Sequence, residues 1–197
     1  FARDQYAIRV QTCSIDEAPA QGYGVVTLFH VFEHLAHPRQ AMARIWSLLG
    51  EGGTLVIEVP NICAADASPH NVYFSAHLFY YSRHSLAAAA SRYFEVTHLE
   101  DEGNLQVALR RRAQPLETMV YPSPADVAFT RERLARKGWF EYLWKGGGWR
   151  KPWRRVRRMR DEARLGDVTP RQALDAVWQA RGDAPMPRRG ERPQSAA

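Results

Sequence analysis

The sequence predicts an α/β protein built on an open sheet, and three observations carry that expectation. Val25, Val26, Leu28 and Phe29 form an almost continuous apolar run, the pattern of a parallel strand covered on both faces. A second run, Leu55, Val56, Ile57 and Val59, follows a turn rich in glycine (Gly50, Gly52, Gly53) and stops at Pro60. Between them Pro38 stands at a first helical position, where its missing N–H costs nothing, and Ala41, Ile45, Leu48 and Leu49 recur at helical spacing. A strand–helix–strand unit of this length crosses over right-handed and makes its strands parallel neighbours. The polar residues after Phe29 then fall at the carboxyl end of the first strand, where open α/β sheets bind ligands.

The remaining elements follow in order. Residues 7–10 read as a short strand reaching toward Cys13, and Asp16, Glu17 and Pro19 mark the loop that leads to the first apolar run. Residues 62–81 lack a clean period and are rich in His, Asn, Tyr and Phe, as a loop over an active site can be. Ser82 is placed to cap a helix over 83–91, whose alanine run favours that state. Residues 94–99 and 105–109 alternate around Asp101, Glu102, Gly103 and Asn104, a hairpin signal. Pro115, Pro122 and Pro124 make a linker, after which helices are expected over 125–137, 153–165 and, more weakly, 169–181. From Gly182 onward Pro, Arg, Gly and Ser dominate, the composition of a disordered tail. The organisation expected is a sheet domain over 1–113, a basic helical appendage over 114–181 and a tail over 182–197.

A chain of 197 residues with 45% apolar residues can bury one core and carry an appendage. Cys13 and Cys63 are too few for a disulfide framework, and neither pairs with a near neighbour as metal ligands do. A reducing cytoplasm is the simplest fit. No apolar run approaches the ~20 residues that span a bilayer. Charge is uneven: residues 1–113 hold nine Lys/Arg against eleven Asp/Glu, whereas residues 114–197 hold eighteen against ten, so the basic character belongs to the appendage.

Three pieces of the chain, in order, carry a resemblance. They are Val25-Val-Thr-Leu-Phe-His-Val-Phe-Glu-His-Leu35 with His37-Pro38, then Leu48-Leu-Gly-Glu-Gly-Gly-Thr-Leu-Val-Ile-Glu-Val-Pro-Asn61, then His77-Leu-Phe-Tyr-Tyr-Ser-Arg-His-Ser-Leu86. Together they resemble the second half of the class I S-adenosylmethionine-dependent methyltransferase domain, over roughly residues 5–112. The nearest group is the bacterial set related to the ubiquinone-biosynthesis O-methyltransferases. The resemblance implies a Rossmann-like open sheet, mostly parallel and ending in an antiparallel hairpin, with S-adenosylmethionine as cofactor. It also implies that the first strands are missing. The glycine-rich turn after the family's first strand and the acidic residue ending its second have no counterpart here. Gly22-Tyr-Gly24 precedes a strand instead of following one, and Gly24 stands where relatives usually carry Asp. An N-terminally truncated domain is therefore expected, inactive as an isolated chain and marginal, aggregation-prone or dimeric through an unpaired apolar strand edge.

Methyl transfer from a sulfonium needs proximity, orientation and a group that removes the acceptor's proton. An imidazole suits that role because it titrates near neutrality. His30, Glu33 and His34 share one face if their turn is helical. The resemblance places Phe29 and His30 against the cofactor, makes His34 the leading base candidate and gives Glu33 the task of orienting it. The same residues could instead satisfy loop N–H groups and brace the sheet. His30, Glu33 and His34 also spell H-x-x-E-H, but a zinc protease would need that motif inside a long helix with a distant third ligand. The ubiquinone O-methyltransferases carry Glu-x-x-Glu-His here; His30 replaces the first Glu, and no metal site is assigned. Ser14 and Ile15 match the family position that touches the adenine. His70, His77, Tyr80 and Tyr81 fall on the acceptor side, where they could hold a sugar, a quinone-like ring or a lipid head.

The appendage is the second signal. Between Tyr142 and Arg160 there are eight Lys/Arg and no acid, interleaved with Trp144, Trp149 and Trp153. That composition suits the interface of an anionic membrane through residues 139–160, or a solvated basic helix; phosphate backbones would also accept it, yet no nucleic-acid motif is present. Two functions are expected to compete. One is a methyltransferase acting, on oxygen, on a small molecule or an envelope saccharide or lipid intermediate, cytoplasmic or peripheral at the membrane's inner face. The other is a non-catalytic binding protein whose basic arm docks on membrane or an acidic partner.

Overall fold

The computed structural model describes residues 10–65, 73–164 and 168–180. The chain divides into two compact units, Ser14–Arg150 and a second that joins Phe1–Cys13 with Lys151–Ala197. The boundary expected at residue 113 thus falls inside the first unit. The expected strand over 7–10 lies outside the described residues save for Val10, and His70 and the tail over 182–197 lie outside them too.

The first unit is a four-stranded sheet: β1 (Tyr23–Phe29), β2 (Leu49–Pro60), β3 (Phe94–Glu100) and β4 (Asn104–Arg111), in the order β1-β2-β4-β3. β1 pairs parallel with β2 (Val26 opposite Leu55, Leu28 opposite Ile57), and β2 and β3 both pair antiparallel with β4. The helices are α1 (Pro38–Leu48) between β1 and β2, α2 (Arg83–Ser91) before β3, and α3 (Pro124–Ala135) after β4. Short turns of 3-10 or π type occupy Phe32–His34, Glu141–Lys145 and Gly148–Arg150.

Local chemistry accounts for these boundaries. Pro38 opens α1 at its first turn, as the sequence predicts. Ser82 and Ser85 form the cap of α2 reciprocally: the Ser82 hydroxyl accepts from the Ser85 N–H at 3.2 Å and the Ser85 hydroxyl from the Ser82 N–H at 2.9 Å. Ser123 and Asp126 do the same at α3. The glycine turn before the second apolar run is absorbed into β2, which starts directly at Leu49. A Cβ at Gly53 would sit 2.9 Å from the Gly50 carbonyl oxygen and 3.0 Å from that of Tyr23, so this close approach excludes any side chain.

One face of the sheet carries the core. Leu55, Ile57 and Val59 of β2 and Leu105, Val107 and Leu109 of β4 alternate inward and meet Met42 and Ile45 of α1 and Leu86 and Ala90 of α2. Each such side chain contributes about 1.5–3 kcal/mol by leaving water. Trp46 locks α1 to the far end of β4: its indole N–H donates to the Arg112 carbonyl at 2.8 Å, and the Arg111 guanidinium lies 4.1 Å over its ring. Arg44 clamps the preceding loop by donating to the carbonyls of Ile15, Asp16 and Ala18.

The expectation that β1 is covered on both faces is corrected. Val26 and Leu28 pack on the core, but Val25, Thr27 and Phe29 are exposed. The reason is that α1 and α2 pack together with the core side of the sheet, so the alternate side chains of β1 are left in solvent. Among the described residues β1 has β2 as its one strand partner.

The second unit contains α4 (Lys151–Arg164) and α5 (Pro170–Ala180), close to the helices that the sequence predicts. Among the described residues, no helix is long and apolar enough to cross a membrane.

Candidate active site at the carboxyl end of the parallel strands

β1 ends at Phe29, and the backbone turns at once. His30 adopts φ 52°, the left-handed region that a non-glycine residue rarely enters. Its N–H still donates to the Glu58 carbonyl at 2.9 Å, continuing the ladder for one bond beyond the strand. Such a conformation costs on the order of 1 kcal/mol and is a mark of functional turns. The turn then buries Phe32, whose ring stacks on Tyr81 with centroids 5.2 Å apart.

Burial of Phe32 carries Glu33 inward with it. Glu33 is 1% exposed, and neither carboxylate oxygen has a hydrogen-bond partner. Three imidazoles surround it: Nδ1 of His30 at 3.5 Å, Nε2 of His34 at 3.8 Å and Nε2 of His77 at 3.9 Å, all measured to Oε1. A buried carboxylate is costly without such neighbours, so their arrangement is what makes the position tolerable. The Glu33 main-chain carbonyl accepts the N–H groups of Leu78 and Phe79 at 3.0 and 3.1 Å, pinning the loop that brings His77 over the turn.

His34 has a defined tautomer. Its Nδ1 lies 2.8 Å from the Ala76 carbonyl oxygen, which can only accept, so Nδ1 bears a hydrogen, and in the neutral ring Nε2 carries the lone pair. Nε2 is the nitrogen turned toward Glu33, 3.8 Å from its Oε1. The rings of His34 and His77 meet edge to face at 4.9 Å, and Phe74 and Tyr80 flank His77 at 5.0 and 5.9 Å. Tyr80 is held by its hydroxyl, which donates to the Phe74 carbonyl at 2.7 Å.

His30 also faces a second carboxylate. Its Nε2 lies 3.2 Å from Glu58 Oε1, and Asn104 and Gln106 donate to the two Glu58 oxygens at 2.8 and 3.0 Å. Glu58, Asn104 and Gln106 are absent from the sequence-based site. The signal available was Glu58 itself, the one acid within the apolar run of the second strand.

The structure brings Glu33, His34, His30 and His77 together and sets Phe29, still more than half exposed, at their edge. Among the described residues no hydrogen bond or ion pair joins Ser14 or Ile15 to the turn. The Ser14 N–H donates to the Glu17 carboxylate at 2.9 Å and the Ser14 hydroxyl at 3.0 Å, and these two bonds, the N–H first, draw that carboxylate below its usual range; Ile15 packs on the core. Tyr81 lies in the core beneath the site. Burial first, and then the charge of Glu33, push its hydroxyl well above the ordinary tyrosine range, and that hydroxyl has no hydrogen-bond partner.

Glu33, His34 and His77 each offer a ligand atom within 4.8 Å of the others, a carboxylate and two imidazoles of the kind that hold divalent transition metals. A cleft of about 660 Å³ also opens where β2 runs out, with Asn61, Cys63, Ser82, Arg83, Asp101 and Arg133 among its lining residues. Desolvation raises the Cys63 thiol there, with Lys137 and Arg133 acting in the opposite sense.

An open α/β sheet of the Rossmann-like kind, with its polar cluster at the carboxyl end of a parallel strand, defines the class of protein. The family model described as a methyltransferase domain matches residues 3–99, which supports a class I methyltransferase domain over that stretch. No curated protein matches the chain in sequence.

Proposed function

We propose that this methyltransferase domain uses S-adenosylmethionine and methylates an oxygen of a small molecule or of an envelope saccharide or lipid intermediate, as in the group related to the ubiquinone-biosynthesis O-methyltransferases. The observation that carries the reading is the buried Glu33 ringed by His30, His34 and His77 at the carboxyl end of β1, within the stretch that the family model matches. Exposed Phe29 and His30, with the carboxylates Glu33 and Glu58 behind them, suit a ligand that is cationic and carries flat apolar surface. When bound, the cofactor supplies an electrophilic methyl group on a sulfonium.

The chain's own residues do the rest. The Ala76 carbonyl fixes the His34 ring, so Nε2 is presented to take the acceptor's proton. Glu33, shielded from water, stands 3.8 Å from that nitrogen. His77 and Tyr80 form an aromatic wall on the acceptor side. The test is label transfer from a methyl-labelled donor into phenolic small molecules and envelope extracts, comparing the native gene product, expressed from its own start codon, with its His34→Gln variant. Label in one acceptor class, lost in the variant, is expected; equal labelling by both would remove His34 from the base role.

A further inference from the structure

α4 is exposed on every side: each residue from Lys151 to Ala163 is open to solvent. Its composition is one lysine and six arginines against one aspartate and one glutamate, interrupted by a few apolar side chains. Those apolar residues are ordered. At 3.6 residues per turn, Trp153, Val156, Met159 and Ala163 fall within an arc of about 120°. Trp153 is 75% exposed and Met159 60%. Among the described residues nothing buries this stripe.

The cations are disposed around it. Asp161 and Glu162 pair with Arg157 and Arg158 at 4.0 and 2.8 Å, whereas Arg154, Arg155 and Arg160 have no acidic partner among the described residues. Arg160 falls within the same arc, between Trp153 and Val156, and its long stem lets the guanidinium reach outward while its methylenes lie along the apolar face. An apolar face with a tryptophan, flanked by arginines and lacking the length to span a bilayer, has the chemistry of a helix lying in a lipid interface. Acyl chains would cover the stripe, and anionic headgroups would meet the arginines.

We infer that α4 docks the protein on an anionic lipid surface, lying in the interface plane with Trp153, Val156 and Met159 turned into the headgroup–acyl boundary. Charge complementarity selects an anionic surface, and the apolar stripe selects lipid over nucleic acid, because a phosphate backbone would use the arginines and leave the stripe in water. The inference is independent of the methyl-transfer reading.

The full chain is tested by co-sedimentation with vesicles of phosphatidylcholine alone and of phosphatidylcholine mixed with phosphatidylglycerol. Binding to the mixed vesicles alone, weakening as salt rises, is expected. A variant with Trp153→Ser, Val156→Ser and Met159→Ser loses about tenfold or more in partitioning, and a second with Arg154→Gln, Arg155→Gln and Arg160→Gln loses a similar factor. All six side chains are exposed, so both variants keep the fold of the sheet unit, which its unfolding curve verifies. Absence of binding by the unmodified protein would overturn the inference. So would equal binding by the serine variant, or tight binding of an oligonucleotide that only the glutamine variant loses.

Discussion

Phe32→Ala is the perturbation that most directly joins the fold to the candidate site. The Phe32 side chain is fully buried, stacks on Tyr81 at 5.2 Å with the rings 27° apart, and belongs to the core that holds Met42, Ile45 and Leu86. A phenyl ring removes about 150–200 Å² from water, which at about 25 cal/mol per Å² is about 4–5 kcal/mol. Large-to-small substitutions of buried phenylalanine cost about 3–5 kcal/mol, so the two routes agree. A domain of this kind holds about 5–15 kcal/mol in all, and the variant therefore unfolds at much lower urea. Phe32→Leu keeps most of the volume and costs less than about 1.5 kcal/mol. Hydrogen exchange gives the local readout. The Leu78 and Phe79 amides, which donate to the Glu33 carbonyl, exchange faster in Phe32→Ala than the amides of β4 do. A loss below about 1 kcal/mol, with those two amides unchanged, would refute the claim that Phe32 anchors the turn.

Three further outcomes follow from the same geometry. His34→Gln lowers the methyl-transfer rate by about 10²–10⁴-fold with little change in cofactor affinity, as steady-state kinetics and donor titration would separately report. Tyr81→Phe leaves neutral-pH stability unchanged or slightly higher, because the hydroxyl it removes is buried without a partner. The folded Tyr81 hydroxyl is raised, so its contribution is intact below the ordinary tyrosine value of about 10 and is lost as pH rises beyond it. Urea midpoints of the unmodified protein should thus fall relative to Tyr81→Phe only in the alkaline range. Half-buried Cys63, its thiol raised by desolvation, reacts with iodoacetamide more slowly than exposed Cys13, and mass spectrometry of the alkylated peptides near pH 8 would contradict this if the two rates matched.

The elements that the sequence showed best are those whose boundary chemistry is local. Pro38, Ser82 and the Asp101–Asn104 turn each fix an end within a few residues, and α1, α2 and the β3–β4 hairpin begin and end close to those marks. The apolar run of β1 misled because its composition does not record what covers each face. Val25 and Phe29 read as buried, yet the packed helices reach only the alternate side chains.

The site was legible where neighbours in sequence are neighbours in space. His30, Glu33 and His34 share one turn, and periodicity was enough to group them. His77 was assigned to the acceptor side, but its contact with Glu33 depends on the loop carbonyls and amides that tie residues 76–79 to the turn, a long-range arrangement without a sequence period. Glu58 and Asn104 were missed for the same reason: Glu58 comes to His30 through the pairing of β1 with β2, and Asn104 through the pairing of β2 with β4. Ser14 matches a family position, and its hydroxyl is engaged with Glu17, three residues away.

The most direct measurement is a calorimetric titration of S-adenosylhomocysteine into the folded native gene product, expressed from its own start codon. The account predicts saturable binding in the micromolar range, weakened by Phe29→Ser at the exposed end of β1. A protein that melts cooperatively yet gives no binding heat at several temperatures would contradict it, and would leave the sheet as a scaffold without its cofactor.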